Sequence, residues 1–150
     1  MDIVVRKVTV DDMQDVYNLV HELAVFEKEP EALIISVNEY IEAYTESLID
    51  GFVATQNDNV VGIAIYYMTF STWKGKCLYL EDFYVQPDFR KFGIGQKLFD
   101  AYIIEAKNLG ANMTKWQVLD WNNIGLEFYK KNNATIEKDW WNGKIFLNSK

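Results

Sequence analysis

The sequence predicts a single domain of a mixed α/β layer fold, with an antiparallel N-terminal half and a strand-turn-helix centre. Short apolar runs rich in Val, Ile, Tyr and Phe alternate with longer stretches whose apolar residues recur at helical spacing. From Phe52 to Val85 the strand-like runs are separated by turn residues alone, which makes them neighbours in an antiparallel sheet. The run Tyr79-Leu80-Glu81-Asp82-Phe83-Tyr84-Val85 then passes through a basic, glycine-punctuated turn into a long helix. With 150 residues the chain fits one domain, 1–150, and buries roughly two thirds or more of its unfolded surface.

Each element has its own signal. Ile3 to Val8 reads as a strand, and Thr9-Val10-Asp11-Asp12 starts a helix carrying Met13, Val16, Tyr17, Val20, Leu23 and Ala24. Pro30 marks a break. Ser36-Val37-Asn38-Glu39 has capping-box spacing before a second helix with Tyr40, Ile41, Tyr44 and Leu48, which Asp50-Gly51 is expected to end. Phe52 to Thr55, the turn Asn57-Asp58-Asn59, and Val60 to Phe70 form a hairpin. Trp73 to Lys76 then turns the chain into a strand from Cys77 to Val85. After Gly95 the spacing of Leu98, Phe99, Tyr102, Ile103 and Ala106 gives a helix up to Gly110. Thr114 to Leu119 is a strand, Asn123 to Asn132 a short helix, and Thr135 to Glu137 and Lys144 to Leu147 a final pair of strands.

Composition narrows the function. A hydrophobic share of 49% supports a real core, and the 15% of aromatic residues fall largely on strands. A formal net charge of -7 argues against nucleic-acid binding, which needs clustered Lys and Arg, and suits a cationic partner. One cysteine, Cys77, permits no internal disulfide, and one histidine, His21, gives metal-ligand spacing and a Ser-His-Asp triad little support. No apolar run approaches the ~20 residues of a membrane span, and the N-terminus lacks a signal-peptide layout. The expectation is a cytoplasmic protein without a membrane or nucleic-acid partner.

The turn after Val85 is built to hold phosphates. It sits at a helix N-terminus, where unpaired N–H groups and the positive end of the dipole point outward, and glycine at 93 and 95 lets an anion approach the backbone. The dinucleotide fingerprint fails because Leu98 stands where its third small residue belongs, and the P-loop fails because Gln96 and Lys97 follow Gly95. The remaining pattern, Arg90-x-x-Gly93-x-Gly95 between strand and amphipathic helix, resembles the acyl-coenzyme A pyrophosphate arm of the GNAT N-acetyltransferases.

Within that superfamily the chain is similar to the spermidine/spermine (diamine) and thialysine N-acetyltransferases over nearly all of its length. The likeness rests on Glu22-Leu23-Ala24 with Glu27, Tyr66-Tyr67, Trp73-Lys74-Gly75, Tyr79-Leu80-Glu81-Asp82, Phe92-Gly93-Ile94-Gly95, Trp121-Asn122 and Phe128-Tyr129-Lys130. Ser71-Thr72 before Trp73, in place of the polyamine branch's Asp-Pro, and Val118-Leu119-Asp120-Trp121-Asn122 resemble the thialysine branch. Asn132-Asn133 stands where the family usually has a basic residue and glycine, and asparagine tolerates the left-handed conformation such a helix end needs.

The resemblance implies a GNAT acyl-CoA N-acyltransferase fold and a domain that moves an acetyl group from acetyl-CoA to a primary amine of a small cationic substrate, without a metal. It places the pantetheine on main-chain groups of Phe83, Tyr84 and Val85. It places the diphosphate on those of Lys91, Phe92, Gly93, Ile94, Gly95 and Gln96, with Asn122, Gly125 and Lys130 on a second arm. An ammonium of pKa about 10.4 is neutral only about once in a few thousand molecules at pH 7, so a group must take its proton. Glu81, through a water, is the candidate base, and Tyr129 the candidate donor to the departing thiolate. From the residues alone, Glu81 fits a solvated carboxylate and Tyr129 fits helix packing; the resemblance assigns them the chemistry. Glu27, Trp73, Glu81 and Asp82 form the candidate amine-recognising set. Polyamines and protein lysines stay open as acceptors, as does a non-catalytic acyl-CoA sensor. The resemblance and the aromatic C-terminus imply a homodimer whose last strands contact the neighbour.

Overall fold

The structure, a computed structural model, describes residues 2–148. The chain divides into two compact units, Met1–Gln117 and Val118–Lys150. The first holds β1 (Ile3–Lys7), α1 (Met13–Phe26), α2 (Val37–Thr45), β2 (Asp50–Gln56), β3 (Asn59–Ser71), β4 (Gly75–Val85), α3 (Ile94–Asn108) and β5 (Met113–Trp116). The second holds α4 (Asn123–Lys131). Short 3-10 turns lie at Val10–Asp12, Pro30–Ala32 and Pro87–Phe92.

The strands form one sheet in the order β1-β2-β3-β4-β5, antiparallel from β1 to β4 and parallel between β4 and β5. The β2–β3 turn places Asn57 and Asp58 at φ 51° and 67°, the left-handed pair a two-residue hairpin loop requires. One face of the sheet, with Val53, Ile63, Ile65 and Tyr84, packs on Met13, Val16 and Leu19 of α1 and on Tyr40, Ile41 and Tyr44 of α2. The residues between them face α3. A Cβ at Gly62 would stand 2.9 Å from Leu98 Cδ1, so glycine here lets the helix press onto the strand.

Polar ties pin the edges of this unit. The Arg6 guanidinium donates to both oxygens of the buried Asp12, at 2.7 and 2.9 Å, and holds its carboxyl below the usual range. The Lys7 ammonium donates to Asp50, Tyr66 and Glu105 at 2.5, 2.7 and 3.0 Å, joining β1, β2, β3 and α3.

Two expectations are corrected. Helix α2 stops at Thr45, Ser47 takes φ 62°, and Asp50-Gly51 opens β2 instead of closing the helix. Gly51 is a strand glycine: a Cβ there would lie 2.5 Å from the Ala64 carbonyl oxygen. The final strand pair is also absent among the described residues; Thr135 to Glu137 and Lys144 to Leu147 join no ladder. A strand exists by pairing, and the second unit contains no described strand to pair with. Ile145, Phe146 and Leu147 are consequently exposed. The end of α4 behaves as expected: Asn133 has φ 63°, and the bonds Asn133 N–H to Lys130 O and Ala134 N–H to Tyr129 O close a Schellman cap.

Candidate active site

The decisive local feature is a bulge in β4. Tyr66 pairs with Leu80 and Ile65 with Asp82, so Glu81 is an extra residue with no opposite number on β3. In a regular strand neighbouring side chains point to opposite faces. The extra residue cancels one alternation, and Asp82, opposite Ile65, joins Glu81 on the face covered by α1 and α2.

The electrostatics record this convergence. Asp82, partly buried, has its carboxyl pushed up to about 7, first by burial and then by the negative charges of Glu81 and of Glu27 at the end of α1. Burial also pushes Glu27 up. Around the carboxylates stand three phenols. Tyr67 is pushed up to about 12 by burial and by Glu81, to which its hydroxyl donates a hydrogen bond. Its ring lies 5.3 Å from that of Tyr79, which burial, Glu81 and Asp82 also push up. Tyr40 of α2 is raised in turn by burial, Asp82, Tyr17 and Glu81. Three acids and three tyrosines thus form one acidic, aromatic cluster, an environment that favours a cation.

Glu27, Glu81 and Asp82 are therefore brought together. Trp73 is not: it lies in the turn between Ser71 and Gly75, 83% exposed, and Gly75 precedes Glu81 by roughly 20 Å of strand at about 3.3 Å per residue. Tyr40, Tyr67 and Tyr79 had no assigned role in the sequence reading. The Tyr66-Tyr67 pair was visible, but the fold alone sets which of the two faces the acids.

The β4–β5 ladder ends at Leu80 and Trp116, so Phe83, Tyr84 and Val85 run past the end of β5. Phe83 packs its ring 5.9 Å from Phe99 of α3, and Tyr84 is buried against the α1 side. Beyond Val85 comes the 3-10 turn with Arg90 and Lys91 at its end, then Gly93 at φ 72° as the N-cap of α3. Lys91, Phe92 and Gly93 are exposed, no atom lies within 4 Å of where a Cβ on Gly93 would be, and the first turn of α3 carries no acidic residue. Ile94 is buried, Gly95 is partly buried, and Gln96 donates its side-chain amide to Asp100. An open helix start with glycine at its N-cap and no acidic residue in its first turn fits an anionic diphosphate.

In the second unit, Asn122 is the N-cap of α4, its Oδ1 accepting from Gly125 N–H at 3.0 Å. Tyr129 is buried, with its ring edge-on to Phe128 at 5.6 Å, and Lys130 lies exposed in the last turn. Among the described residues no group of acids, histidines and cysteines has metal-binding arrangement, and no helix is long and apolar enough to cross a membrane.

Residues 13–134 match the Acetyltransferase (GNAT) family. The chain belongs to that family. It is 33% identical over 136 residues to the thialysine N-epsilon-acetyltransferase of Mus musculus, covering 84% of this chain and 80% of the mouse protein. Against the Caenorhabditis elegans protein of the same name it is 30% identical over 122 residues, 81% of this chain and 76% of that one. A crystal structure of an aminoglycoside acetyltransferase from a soil metagenomic sample superposes with a TM-score of 0.81 over 97% of both chains, at 18% identity, and so shares the fold. This GNAT protein is an acetyl-CoA-dependent amine N-acetyltransferase.

Proposed function

We propose that this GNAT enzyme acetylates a primary amine of a small dication-like or lysine-like substrate, thialysine, lysine or a diamine, and that the bulged Glu81-Asp82 pair is its recognition point. The observation carrying this reading is the convergence of Glu27, Glu81 and Asp82 on one sheet face, close enough for the first two to raise the third. Bringing a substrate ammonium into that group relieves the repulsion between the acids and favours their ionised forms. The likeness to thialysine acetyltransferases supports the same class of amine.

In this reading acetyl-CoA supplies the activated acetyl thioester. Main-chain groups of Phe83, Tyr84 and Val85 hold its pantetheine, and those from Lys91 to Gln96 its diphosphate, with Asn122, Gly125 and Lys130 on the second arm. Because Asn122 Oδ1 is occupied by its capping bond, that side chain has its NH2 left to offer. Glu81, on the exposed side of the pair, accepts the amine proton through water, while Tyr129 donates to the thiolate. Cys77 is buried at the start of β4, which favours direct transfer over an acyl-enzyme. Trp73 enters the amine set only from a second copy or by a bound substrate long enough to span the hairpin.

Both units work as one acetyltransferase domain, since the family match runs across their boundary. We place the protein in the cytoplasm as a homodimer, its exposed Trp140, Trp141, Ile145, Phe146 and Leu147 covered by the neighbour. A monomeric mass at micromolar concentration contradicts the dimer. The substrate class is tested by thiol release from acetyl-CoA with thialysine, lysine, diamines and spermidine side by side. Preference for thialysine or lysine supports the proposal, preference for spermidine moves the enzyme to the polyamine branch, and tight cofactor binding without thiol release on any amine refutes the amine slot.

A further inference from the structure

We infer that Arg90, the basic residue opening the glycine turn, is a positioning residue that fixes the distance between the two cofactor-holding segments rather than a ligand of the phosphates. Its side chain does not extend toward Gly93. It folds back: Nε donates to the Val85 carbonyl oxygen at 2.8 Å, and the guanidinium lies over the rings of Phe26 and Tyr84, 5.7 and 5.4 Å from their centroids. Arg90 is partly buried in this position, whereas its neighbour Lys91 is exposed.

The platform beneath it is itself anchored. The Tyr84 hydroxyl donates to Glu22 Oε1 at 3.2 Å, and the Gln86 side-chain amide donates to Glu22 Oε2 at 3.1 Å. The Gln86 N–H bonds Val61 O, and Phe89 N–H bonds Gln86 O. Glu22 at the hydroxyl of Tyr84 and Arg90 over its ring thus bring opposite charges to one side chain, and the end of β4 is clamped between α1 and the turn. The bond to Val85 closes the chain between the last β4 residue and the position three residues before Gly93. That closure determines where α3 begins relative to the β4 edge.

The inference rests on the proposal that the β4 edge holds the pantetheine and the turn holds the diphosphate. Two weak sites joined by one ligand bind it tightly only when their spacing matches the ligand, and a loosened spacing loses the advantage of linkage without weakening either site. A planar guanidinium can donate through Nε while its face covers two rings; an ammonium cannot do both.

The test measures binding, by calorimetry for coenzyme A and by ligand-observed NMR for two separate pieces, pantetheine and adenosine 3′-phosphate 5′-diphosphate. For Arg90→Met we expect coenzyme A to weaken by about tenfold or more while each piece stays within about twofold of wild type. Arg90→Lys should fail to rescue coenzyme A binding, since charge alone does not restore the closure. Equal weakening of the nucleotide piece, or rescue by lysine, makes Arg90 a phosphate ligand and overturns the inference; unchanged coenzyme A binding overturns it as well. If Arg90→Met does not fold, Glu22→Gln decides, because it slackens the same clamp from α1 and must reproduce the pattern in smaller degree. Wild-type protein that binds none of the three ligands sinks the underlying cofactor assignment, an outcome distinct from a wild type that binds and a variant that does not change.

Discussion

Replacing Asp82 with asparagine should make the protein more stable, and increasingly so as pH rises. The folded state holds the Asp82 carboxyl near 7, against an ordinary 3.8, because burial and the charges of Glu81 and Glu27 oppose its ionisation. For an acid raised in this way, the stabilising contribution of the protonated form is complete below about 3.8 and is lost progressively as pH climbs to about 7. Asparagine keeps the shape and never ionises. The gap between the two values, at about 1.4 kcal/mol per tenfold change in proton affinity, sets a ceiling of about 4 kcal/mol for the advantage of the variant in mildly alkaline buffer. Urea unfolding of both proteins should show the difference widening by about 2 to 3 kcal/mol between about pH 5 and about pH 8.5. A difference that stays constant across that range refutes the placement of the three acids. A cationic amine should narrow the difference, since it binds the ionised Asp82 of the wild type and gives the variant less.

The same sign governs substrate affinity, so the wild-type KM for the amine should fall as pH rises through about 7 and lose that step in Asp82→Asn, as read from initial rates. Glu81→Gln should lower kcat/KM by about 10²-fold or more and flatten its rise on the alkaline side, and Tyr129→Phe should lower kcat by a similar factor with coenzyme A affinity intact by calorimetry. Asp12→Ala, which strands the Arg6 guanidinium and removes the acceptor of Thr9 N–H, should cost roughly 1 to 3 kcal/mol in urea unfolding at neutral pH. Because Arg6 holds Asp12 below its ordinary value, that loss should shrink only as pH drops below about 3.8. Gly51→Ala should cost roughly 1 to 3 kcal/mol in the same assay, since its Cβ would meet the Ala64 carbonyl at 2.5 Å.

What could be read from the chain was whatever its signals encode locally. The Ser36–Glu39 capping box, the Asn57-Asp58 turn, the Gly93 helix start and the Asn133 cap each depend on a few adjacent residues, and all four are found. The grouping of Glu81 with Asp82 came from the resemblance alone: strand alternation by itself gives them opposite faces, and the bulge that unites them leaves no compositional mark. The motif arginine was equally opaque: its direction is set by Phe26 on a helix far away in sequence and by Tyr84 beneath it. The C-terminal runs carry strand composition, but composition supplies only half of a strand, and the pairing half is missing from the described chain.

The bulge explains how one short segment serves both substrates. Up to Leu80, β4 is held on both edges, by β3 and by β5; after the bulge it keeps β3 and leaves β5 behind. The inserted residue therefore changes two things together: it turns Asp82 toward Glu81 and Glu27, and it marks where the strand passes beyond its parallel neighbour toward the phosphate turn. A regular β4 would turn Asp82 away from Glu81 and remove the repulsive part of the cost of ionising it, which adds to the larger part from burial. Carboxylates that repel one another reduce folding stability, and that cost falls on the residues a cation can relieve. Asp82 is expensive to ionise in the empty protein for the same reason that it should bind an ammonium well, so a variant that stabilises the fold at this position ought to weaken the amine in step.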